Sequence, residues 1–238
     1  MELLAIAALA FLATHLGISG TPLRGLLVNT LGERLYRILY SLVAVVTLGL
    51  MLYTYGGVPH HNYLWHPSPA LHLLASGLML VSSVLLAMGL LSKNPTSVGM
   101  ASAVRQEIAG IFRITRHPVQ WAFLLWAIAH ILANGDVATL ILAGTIGLVS
   151  GFGMLAIDAR QRRVDDPAWQ TFYQTTSTMP FAALIARRAR LSLGELNWVA
   201  FGAGLALYAA FYGLPPHSPA SPAVPRQCRH QTSDCRSR

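Results

Sequence analysis

Six long apolar segments alternate with shorter polar connections along the chain. The apolar segments cover residues 3–21, 35–55, 70–92, 118–134, 137–157 and 195–214. Each approaches the roughly 20 residues that a helix needs to cross a bilayer. No segment alternates between apolar and polar residues over about ten positions, as a strand of an outer-membrane barrel does. Because an open sheet edge cannot lie in lipid, the pattern predicts an all-α, polytopic bundle of about six transmembrane helices.

Composition supports a membrane protein. Of the 238 residues, 54% are hydrophobic and only 11% are charged, and the mean hydropathy is +0.50. A soluble domain carries roughly 25% charged residues. The N-terminal apolar segment is preceded by Glu2 and by no Lys or Arg, so it lacks the basic region of a signal peptide. We therefore expect it to be retained as the first helix.

The basic residues predict how the chain is oriented. Thirteen of them lie in three connections: Arg24, Arg34, Arg37, Lys93, Arg105, Arg113, Arg116, Arg160, Arg162, Arg163, Arg187, Arg188 and Arg190. The connections 56–69 and 135–136 contain none. The positive-inside rule then places the basic loops in the cytoplasm and both termini outside, in a multi-pass protein of the cell inner membrane. The net charge of +8 reflects this orientation and does not require nucleic acid as a partner.

The end of the chain differs in composition from the rest. Residues 215–238 are rich in Pro, Ser and Arg and contain both cysteines, Cys228 and Cys235. We expect a disordered polar tail here, following a transmembrane domain of residues 1–214. A disulfide is permitted in a tail that lies outside, although two unpaired thiols are the favoured reading. His230 between them makes only a weak metal site.

Histidines within the apolar segments are the main candidate functional residues. His15 lies in the first segment, His72 begins the third and His130 lies late in the fourth. A polar ring in hydrocarbon needs a partner, so each indicates a functional site, or otherwise an interhelical hydrogen bond. Alternating topology brings His72 and His130 to the same side. His15 lies about 18 Å below the outer end of its helix, so pairing it with His130 requires a tilted cofactor or a shifted boundary.

The string R-H-P supplies a second set of candidates where the fourth segment begins. His117 precedes that segment, His130 follows 13 residues later, and Asn134 ends the segment. On an ideal helix His117 and His130 are roughly 220° apart, so they cannot face one small site. We expect Arg113, Arg116 and His117 to bind an anionic partner at the cytoplasmic boundary: a lipid head group, a haem propionate or a nucleotide-like cofactor. The alternative is a surface histidine before a proline at the first helical position.

Weaker candidates lie in two connections. The outer connection contains three histidines that could hold a divalent ion, although it offers no carboxylate or thiol: His60, His61 and His66. We favour a solvated interface loop there. The connection 158–190 contains aromatic residues spaced for an amphipathic helix in the head groups, Trp169, Phe172 and Tyr173. Membrane lipid is therefore an expected partner, and Arg187, Arg188 and Arg190 could hold anionic head groups.

No constellation for nucleophilic catalysis is present. The chain contains no G-x-S-x-G, no phosphate-binding glycine loop and no H-E-x-x-H. Carboxylates within the apolar segments are also missing, since Asp136 and Asp158 lie at segment ends. A proton-coupled transporter usually keeps an acid within its helices, which argues against transport.

Four stretches together resemble the NnrU family of membrane proteins. They are THLGISGTPLR at 14–24, LGERLYRILYSLVAV at 31–45, RITRHPVQWAFLLWAIAHILANGD at 113–136, and IDARQRR…W..FYQTTSTMPF at 157–181. The resemblance covers roughly residues 1–214. It implies a role in nitrogen-oxide respiration, that is denitrification with nitrite and nitric oxide reduction, and a nitrogen-oxide reductase system as partner.

The resemblance also implies a cofactor. The NnrU family is related to 15-cis-zeta-carotene isomerases, which carry haem b held by two histidines. The matching positions here are His15 and His130, with His72 as the alternative partner of His130. The isomerases place a cysteine three residues before the second histidine, where this chain has Ala127. The resemblance thus implies haem b and, as an alternative activity, isomerisation of a polyene such as zeta-carotene, without a thiolate.

Two further alternatives stay open. One is a non-enzymatic membrane protein that assists or regulates a nitrogen-oxide reductase. The other is a membrane methyltransferase that uses S-adenosylmethionine, since the R-H-P string and the later aromatic segment are faintly similar to isoprenylcysteine and phospholipid methyltransferases. In those enzymes the R-H-P region binds the cofactor. Their paired glutamates are missing here, and Asp165 and Asp166 come closest.

Overall fold

The computed structural model describes residues 1–18, 21–97 and 99–213. Its helices are α1 (Glu2–Leu12), α2 (Leu23–Leu31), α3 (Glu33–Gly56), α4 (Pro69–Leu90), α5 (Ile111–Ile114), α6 (Pro118–Asn134), α7 (Val137–Gln161), α8 (Pro167–Thr175), α9 (Ala182–Ile185) and α10 (Trp198–Gly213). Within these ranges there is no strand, only one isolated bridge between Tyr63 and Asp136. The all-α prediction is confirmed. The predicted tail, with Cys228, Cys235 and His230, lies outside the described residues.

The candidate membrane spans are fewer than predicted. Three helices, α3, α4 and α7, are long and apolar enough to cross a bilayer. A fourth span is possible if α1, its π-helical continuation Ala13–Ile18 and α2 count together as one bent span. Helices α6 and α10 are apolar but have only 17 and 16 residues. The structure thus supports a membrane protein with three or four spans, while six spans and two outer termini stay predictions.

Local sequence explains where the central helices begin and end. Asp136 caps α7 by accepting a hydrogen bond from Thr139 N–H at 2.9 Å, and Ser68 caps α4, with a proline in the first turn. Gly135 ends α6 with φ of 71°. A Cβ at Gly135 would overlap the carbonyl oxygen of Trp65, so both conformation and space require glycine there.

The bundle is organised around α7. Helix α6 packs between α4 and α7, α10 packs against α4, and α1 and α3 pack against α7 and each other. Small residues permit these close approaches. A Cβ added to Gly147 would lie 3.2 Å from Ala127, and one added to Gly204 would lie 2.6 Å from the backbone of Val84. The Ser82 hydroxyl donates to the carbonyl oxygen of Ala122 at 2.8 Å across the α4–α6 contact.

The bundle has two chemically different ends. At the Asp136 end, where α7 begins, His60 and Tyr55 contact Asp136 and Thr139. At the Arg116 end, where α7 finishes, Arg24 of α2 and Arg116 of the α5–α6 connection both lie near the last turns of α7 with Asp158 and Arg160. The predicted gathering of basic loops at one end is therefore observed. Which side of the membrane that end faces stays a prediction.

Helix α8 differs from the prediction made for its aromatic residues. We expected Trp169, Phe172 and Tyr173 to lie among lipid head groups. In the structure Trp169 and Phe172 are only 4% and 1% exposed and pack against Val104. The prediction was wrong for these two residues because α8 folds back onto the α4–α6 connection.

Candidate functional site

The R-H-P string lies in a buried loop between α5 and α6. The exposed fractions of Thr115, Arg116 and His117 are 0%, 4% and 0%. The α8–α9 connection runs alongside this loop: the N–H of Arg116 donates to the carbonyl oxygen of Ser177 at 2.9 Å, and the Thr115 hydroxyl donates to that of Thr178 at 2.9 Å. These two hydrogen bonds hold the loop in place without any charged side chain.

Asp158 is the centre of the polar network at the Arg116 end. Its Oδ1 lies 2.8 Å from Nε2 of His117 and accepts a bond from the Tyr173 hydroxyl at 3.3 Å. Its Oδ2 accepts from the Thr178 hydroxyl at 2.7 Å and lies 3.6 Å from Nη1 of Arg116. Because an ionised carboxylate only accepts hydrogen bonds, Nε2 of His117 carries the shared proton. Nδ1 of His117 is buried and has no hydrogen-bond partner within the described residues.

This network bears on our two expectations for the basic residues. We expected Arg113, Arg116 and His117 to bind an anionic partner, or His117 to lie at the surface. In the structure Asp158 pairs with Arg116 and bonds to His117, and Glu195 pairs with Arg113 at 2.5 Å, while an external anionic partner stays a prediction. The surface interpretation of His117 was wrong. Asp158 does not mark the end of its helix either, since α7 continues to Gln161 and buries the carboxylate.

Tyr173 separates two arginines at the same end. The guanidinium carbons of Arg116 and Arg162 lie 4.4 Å and 4.9 Å from the centre of its ring, within the range of cation–π attraction. Burial and the neighbouring Asp158 raise the pKa of Tyr173 well above its usual range, so the phenol stays a donor. Burial lowers the pKa of Arg116 and Asp158 opposes that effect. Nε of Arg116 is buried without a hydrogen bond to any described residue.

The three histidines of the apolar segments share one local geometry. Nδ1 of His15 lies 2.9 Å from the carbonyl oxygen of Phe11, and Nδ1 of His130 lies 2.9 Å from that of Trp126, each four residues earlier. His72 makes the same contact with Ser68 at 3.1 Å but is exposed. When Nδ1–H donates to the backbone, the lone pair is on Nε2, the atom that ligates metals and haem iron. The donor chemistry of His15 and His130 therefore fits axial ligation of haem.

The environment of His15 and His130 is aromatic and half-buried. The His15 ring lies 3.9 Å from that of Phe11, and the His130 ring lies 4.0 Å from that of Trp126. Helix α7 contacts both the helix of His15 and that of His130. The Asn134 side chain donates to the carbonyl oxygen of His130 at 2.8 Å and so caps the end of α6. The structure places Arg116 and His117 at the opposite end of α6 from His130 and Asn134.

The three histidines of the α3–α4 connection are not gathered into one group. In the part of the chain that the structure describes, no group of three or more His, Cys, Asp or Glu residues is arranged to hold a metal ion. Instead, Nδ1 of His60 lies 3.3 Å from Oδ1 of Asp136, and its Nε2 lies 3.2 Å from the carbonyl oxygen of Tyr55. The interpretation as an interface loop is favoured.

An apolar groove of about 740 Å³ runs between α6 and α7. Its lining includes Trp121, Leu124, Ile128, Gly147, Gly151 and Leu155. At the Arg116 end the groove reaches Thr178, whose hydroxyl donates to Asp158. His130 lies about 120° around α6 from the residues that line the groove. The groove and the His130 ring are therefore on different faces of one helix.

Sequence reasoning missed Asp158, Tyr173 and Thr178 as partners of the R-H-P string. A usable signal was present for Asp158. His117 precedes the turn at 135–136 by 18 residues and Asp158 follows it by 22. Two antiparallel helices joined by a tight turn bring residues at similar distances from that turn to the same level. No comparable signal places Tyr173 or Thr178.

Comparisons with known proteins give the family. The profile of the family described as "NnrU protein" matches residues 3–218. The 15-cis-zeta-carotene isomerase, chloroplastic, of Zea mays is 28% identical over 198 residues, which cover 78% of this chain and 51% of that protein. The Arabidopsis thaliana protein of the same name is 28% identical over 190 residues, 76% of this chain and 49% of that protein. This chain thus spans about half the length of the curated relatives it matches. No solved structure matches. The match over nearly the whole chain shows that it belongs to the NnrU family.

Proposed function

We propose that this chain is a haem-binding membrane protein that isomerises an extended apolar polyene. The observation that carries the proposal is the geometry of His15 and His130, each half-buried with Nδ1 bonded to the preceding helical turn. Haem would supply a redox-active iron whose potential the two imidazoles set. The aromatic rings of Phe11 and Trp126 lie against the two imidazole rings and would shield those ring faces from water.

The choice of reaction rests on the relatives and on the groove. The curated relatives are named for isomerisation of a carotene. The groove between α6 and α7 is lined by residues from 143 to 155 of α7, a length of about 18 Å at 1.5 Å per residue. A rigid apolar chain dissolved in the bilayer can enter such a groove from its lipid side. Because His130 faces away from it, the groove supports binding of an apolar chain but lends no support to catalysis at the iron.

An absorbance spectrum of the detergent-solubilised protein tests the cofactor. A Soret band is expected in the wild type, and His130→Ala and His15→Ala should each reduce bound haem by at least about tenfold, as loss of a metal's supporting contacts commonly does. His61→Ala is the matched control, since that histidine is exposed in the outer connection. If His72→Ala removes haem and His15→Ala does not, His72 is the partner of His130. Absence of haem from the wild type overturns the proposal.

An activity assay tests the reaction separately. The purified protein should convert a cis-polyene to its all-trans isomer, and the haem-free variants should not. A protein that binds haem but leaves the polyene unchanged would instead support a non-enzymatic accessory role.

Nitrogen-oxide respiration is the second candidate. The same histidines favour it, because a haem iron whose ligand can be displaced binds diatomic gases. Titration with nitric oxide should then shift the Soret band at stoichiometric amounts.

Methyl transfer is less favoured, because Asp158 of this chain already bonds to Arg116 and His117, the residues that would bind the cofactor. Saturable binding of S-adenosylmethionine in calorimetry would reverse that ranking.

A further inference from the structure

A ladder of aromatic rings connects His15 to the Arg116 end. The His15 ring lies 5.7 Å from that of Tyr40, and the Tyr40 ring lies 5.8 Å from that of Tyr36. The guanidinium carbon of Arg24 lies 5.3 Å from the centre of the Tyr36 ring. Tyr36 is buried, whereas His15 and Tyr40 are half-buried. A flat or apolar molecule lying along the His15 and Tyr40 rings would therefore point toward a positive charge on the far side of Tyr36.

That charge belongs to a group we call the Arg24 cluster, consisting of Arg24, Tyr36, Arg37, Arg160 and Glu33. Glu33 is 3.1 Å from Nη2 of Arg24 and 3.9 Å from Nε of Arg37. Arg160 of α7 lies close enough to Arg24, Tyr36 and Glu33 to interact with each electrostatically. Two guanidinium groups, those of Arg24 and Arg37, thus share the carboxylate of Glu33, while Arg160 interacts with it at longer range, and the cluster carries an excess of two positive charges. Like charges held together are unfavourable unless an anion joins them.

Arg160 is the member that most needs an anion. It is half-buried, and within the described residues no carboxylate lies within ion-pair distance of it. Three other arginines among the described residues have partners that Arg160 lacks. Arg105 pairs with Asp166, Arg113 with Glu195, and Arg188 donates to carbonyl oxygens of the α8 end at 2.7–3.4 Å. A half-buried guanidinium normally keeps a counter-charge.

We propose that the Arg24 cluster binds the anionic oxygens of a membrane-embedded ligand whose apolar body lies along Tyr40 and His15. Arginine pairs suit carboxylate and phosphate because the planar fork donates two parallel hydrogen bonds. Two sources share this chemistry. One is the pair of haem propionates, and this assignment depends on the proposed function. The other is the phosphate of an anionic lipid, and this assignment does not depend on it.

The decisive variant is Arg160→Gln, which removes the charge and keeps most of the side-chain volume. Arg163→Gln is the matched control, because Arg163 is exposed one turn further along and outside the cluster. Arg160→Lys keeps the positive charge but lacks the planar pair of hydrogen-bond donors that a guanidinium provides. If Arg160→Gln does not fold, Arg24→Gln replaces it, since Arg24 reaches the same cluster from α2.

The haem arm compares haem b with its dimethyl ester, in which both propionates are blocked. The full-length apoprotein should bind haem b about tenfold more tightly than the ester, which corresponds to ~1.4 kcal/mol. Arg160→Gln should abolish this preference and Arg163→Gln should keep it. The Soret titration measures affinity directly and does not depend on catalytic activity.

The lipid arm compares short-chain phosphatidylglycerol with phosphatidylcholine by the thermal unfolding midpoint of the same proteins. A midpoint raised by phosphatidylglycerol alone, and lost in Arg160→Gln but not in Arg163→Gln, assigns the site to a lipid phosphate. If the wild type binds no haem, the proposed function fails and the lipid arm alone decides the anion site. Equal behaviour of Arg160→Gln and Arg163→Gln in both arms overturns the inference.

Discussion

At the residue scale, one carboxylate organises the Arg116 end. Asp158 accepts bonds from two hydroxyls, pairs with Arg116 and lies within hydrogen-bond distance of His117. Each of those groups would be costly to bury alone, because an unpaired charge or donor loses its water without replacement. The conspicuous string Arg116-His117 is therefore explained in the structure by a residue 41 positions later.

Asp158→Asn is expected to destabilise the protein strongly. Removing one member of a buried charge network leaves the others uncompensated, at a cost of about 3–5 kcal/mol. The thermal unfolding midpoint in detergent, followed by size-exclusion chromatography, measures the effect. Asp165→Asn is the control, because Asp165 is exposed and an exposed charge contributes little. Equal midpoints for the two variants would contradict the central role of Asp158.

The Asp136 end should lose stability in acid. Burial acts to raise the pKa of Asp136, but hydrogen bonds from Thr139 and His60 outweigh it and lower the pKa below 3.8. A carboxyl with a lowered pKa stabilises the fold above its unfolded pKa, and this contribution is lost as pH falls through the folded value. Amide exchange at Thr139 should therefore accelerate below about pH 4. In the Asp136→Asn variant the amide of Thr139 should exchange faster at neutral pH, and its exchange should show no such dependence on acid.

At the scale of elements, hydrophobic pattern predicted the helices well and their connections poorly. Segment 118–134 matches α6 at both ends, because Pro118 begins that helix and Gly135 terminates it. The first segment was predicted as one straight span, yet α1 continues as a π-helical turn and the chain then bends toward α2. The burial of Trp169 depends on the α4–α6 connection, which no local pattern in α8 reveals.

The contact between α6 and α7 should be sensitive to volume at Gly147. A Cβ there would already lie 3.2 Å from Ala127, so Gly147→Leu should cost about 1–3 kcal/mol through overpacking. Gly153→Leu is the matched control, since nothing lies within 4 Å of its added Cβ. The difference between their unfolding midpoints measures the helix contact. If the unfolding midpoint of Gly153→Leu falls as far as that of Gly147→Leu, leucine is disfavoured throughout α7.

At the scale of the whole molecule, the basic connections meet at one end although they are distant in sequence. The sequence predicted this from charge counts alone, because alternating helices return every second connection to the same side. The pairing of histidines could not be predicted in this way. Whether His15 or His72 accompanies His130 depends on how α1 and α4 are arranged around α6 and α7, and periodicity carries no information about that arrangement.

The orientation itself is testable. Because the connection 56–69 contains no Lys or Arg, a reporter fused after residue 62 should lie outside the cytoplasm of the inner membrane. A reporter fused within the α7–α8 connection, beside Arg162, should lie inside. Fluorescence from a cytoplasm-dependent reporter at residue 62 would reverse the assignment of both ends.

The distance in sequence between His117 and Asp158 also has a consequence during synthesis. At about 5–20 residues per second, the carboxylate emerges roughly two to eight seconds after the histidine. Until then Arg116 lacks its counter-ion and His117 lacks its hydrogen-bond partner at the start of α6. Helix α6 is also only 17 residues long. Its stable entry into the bilayer should therefore wait for α7, so that the two helices insert as one hairpin and translation order becomes part of how this end of the protein is built.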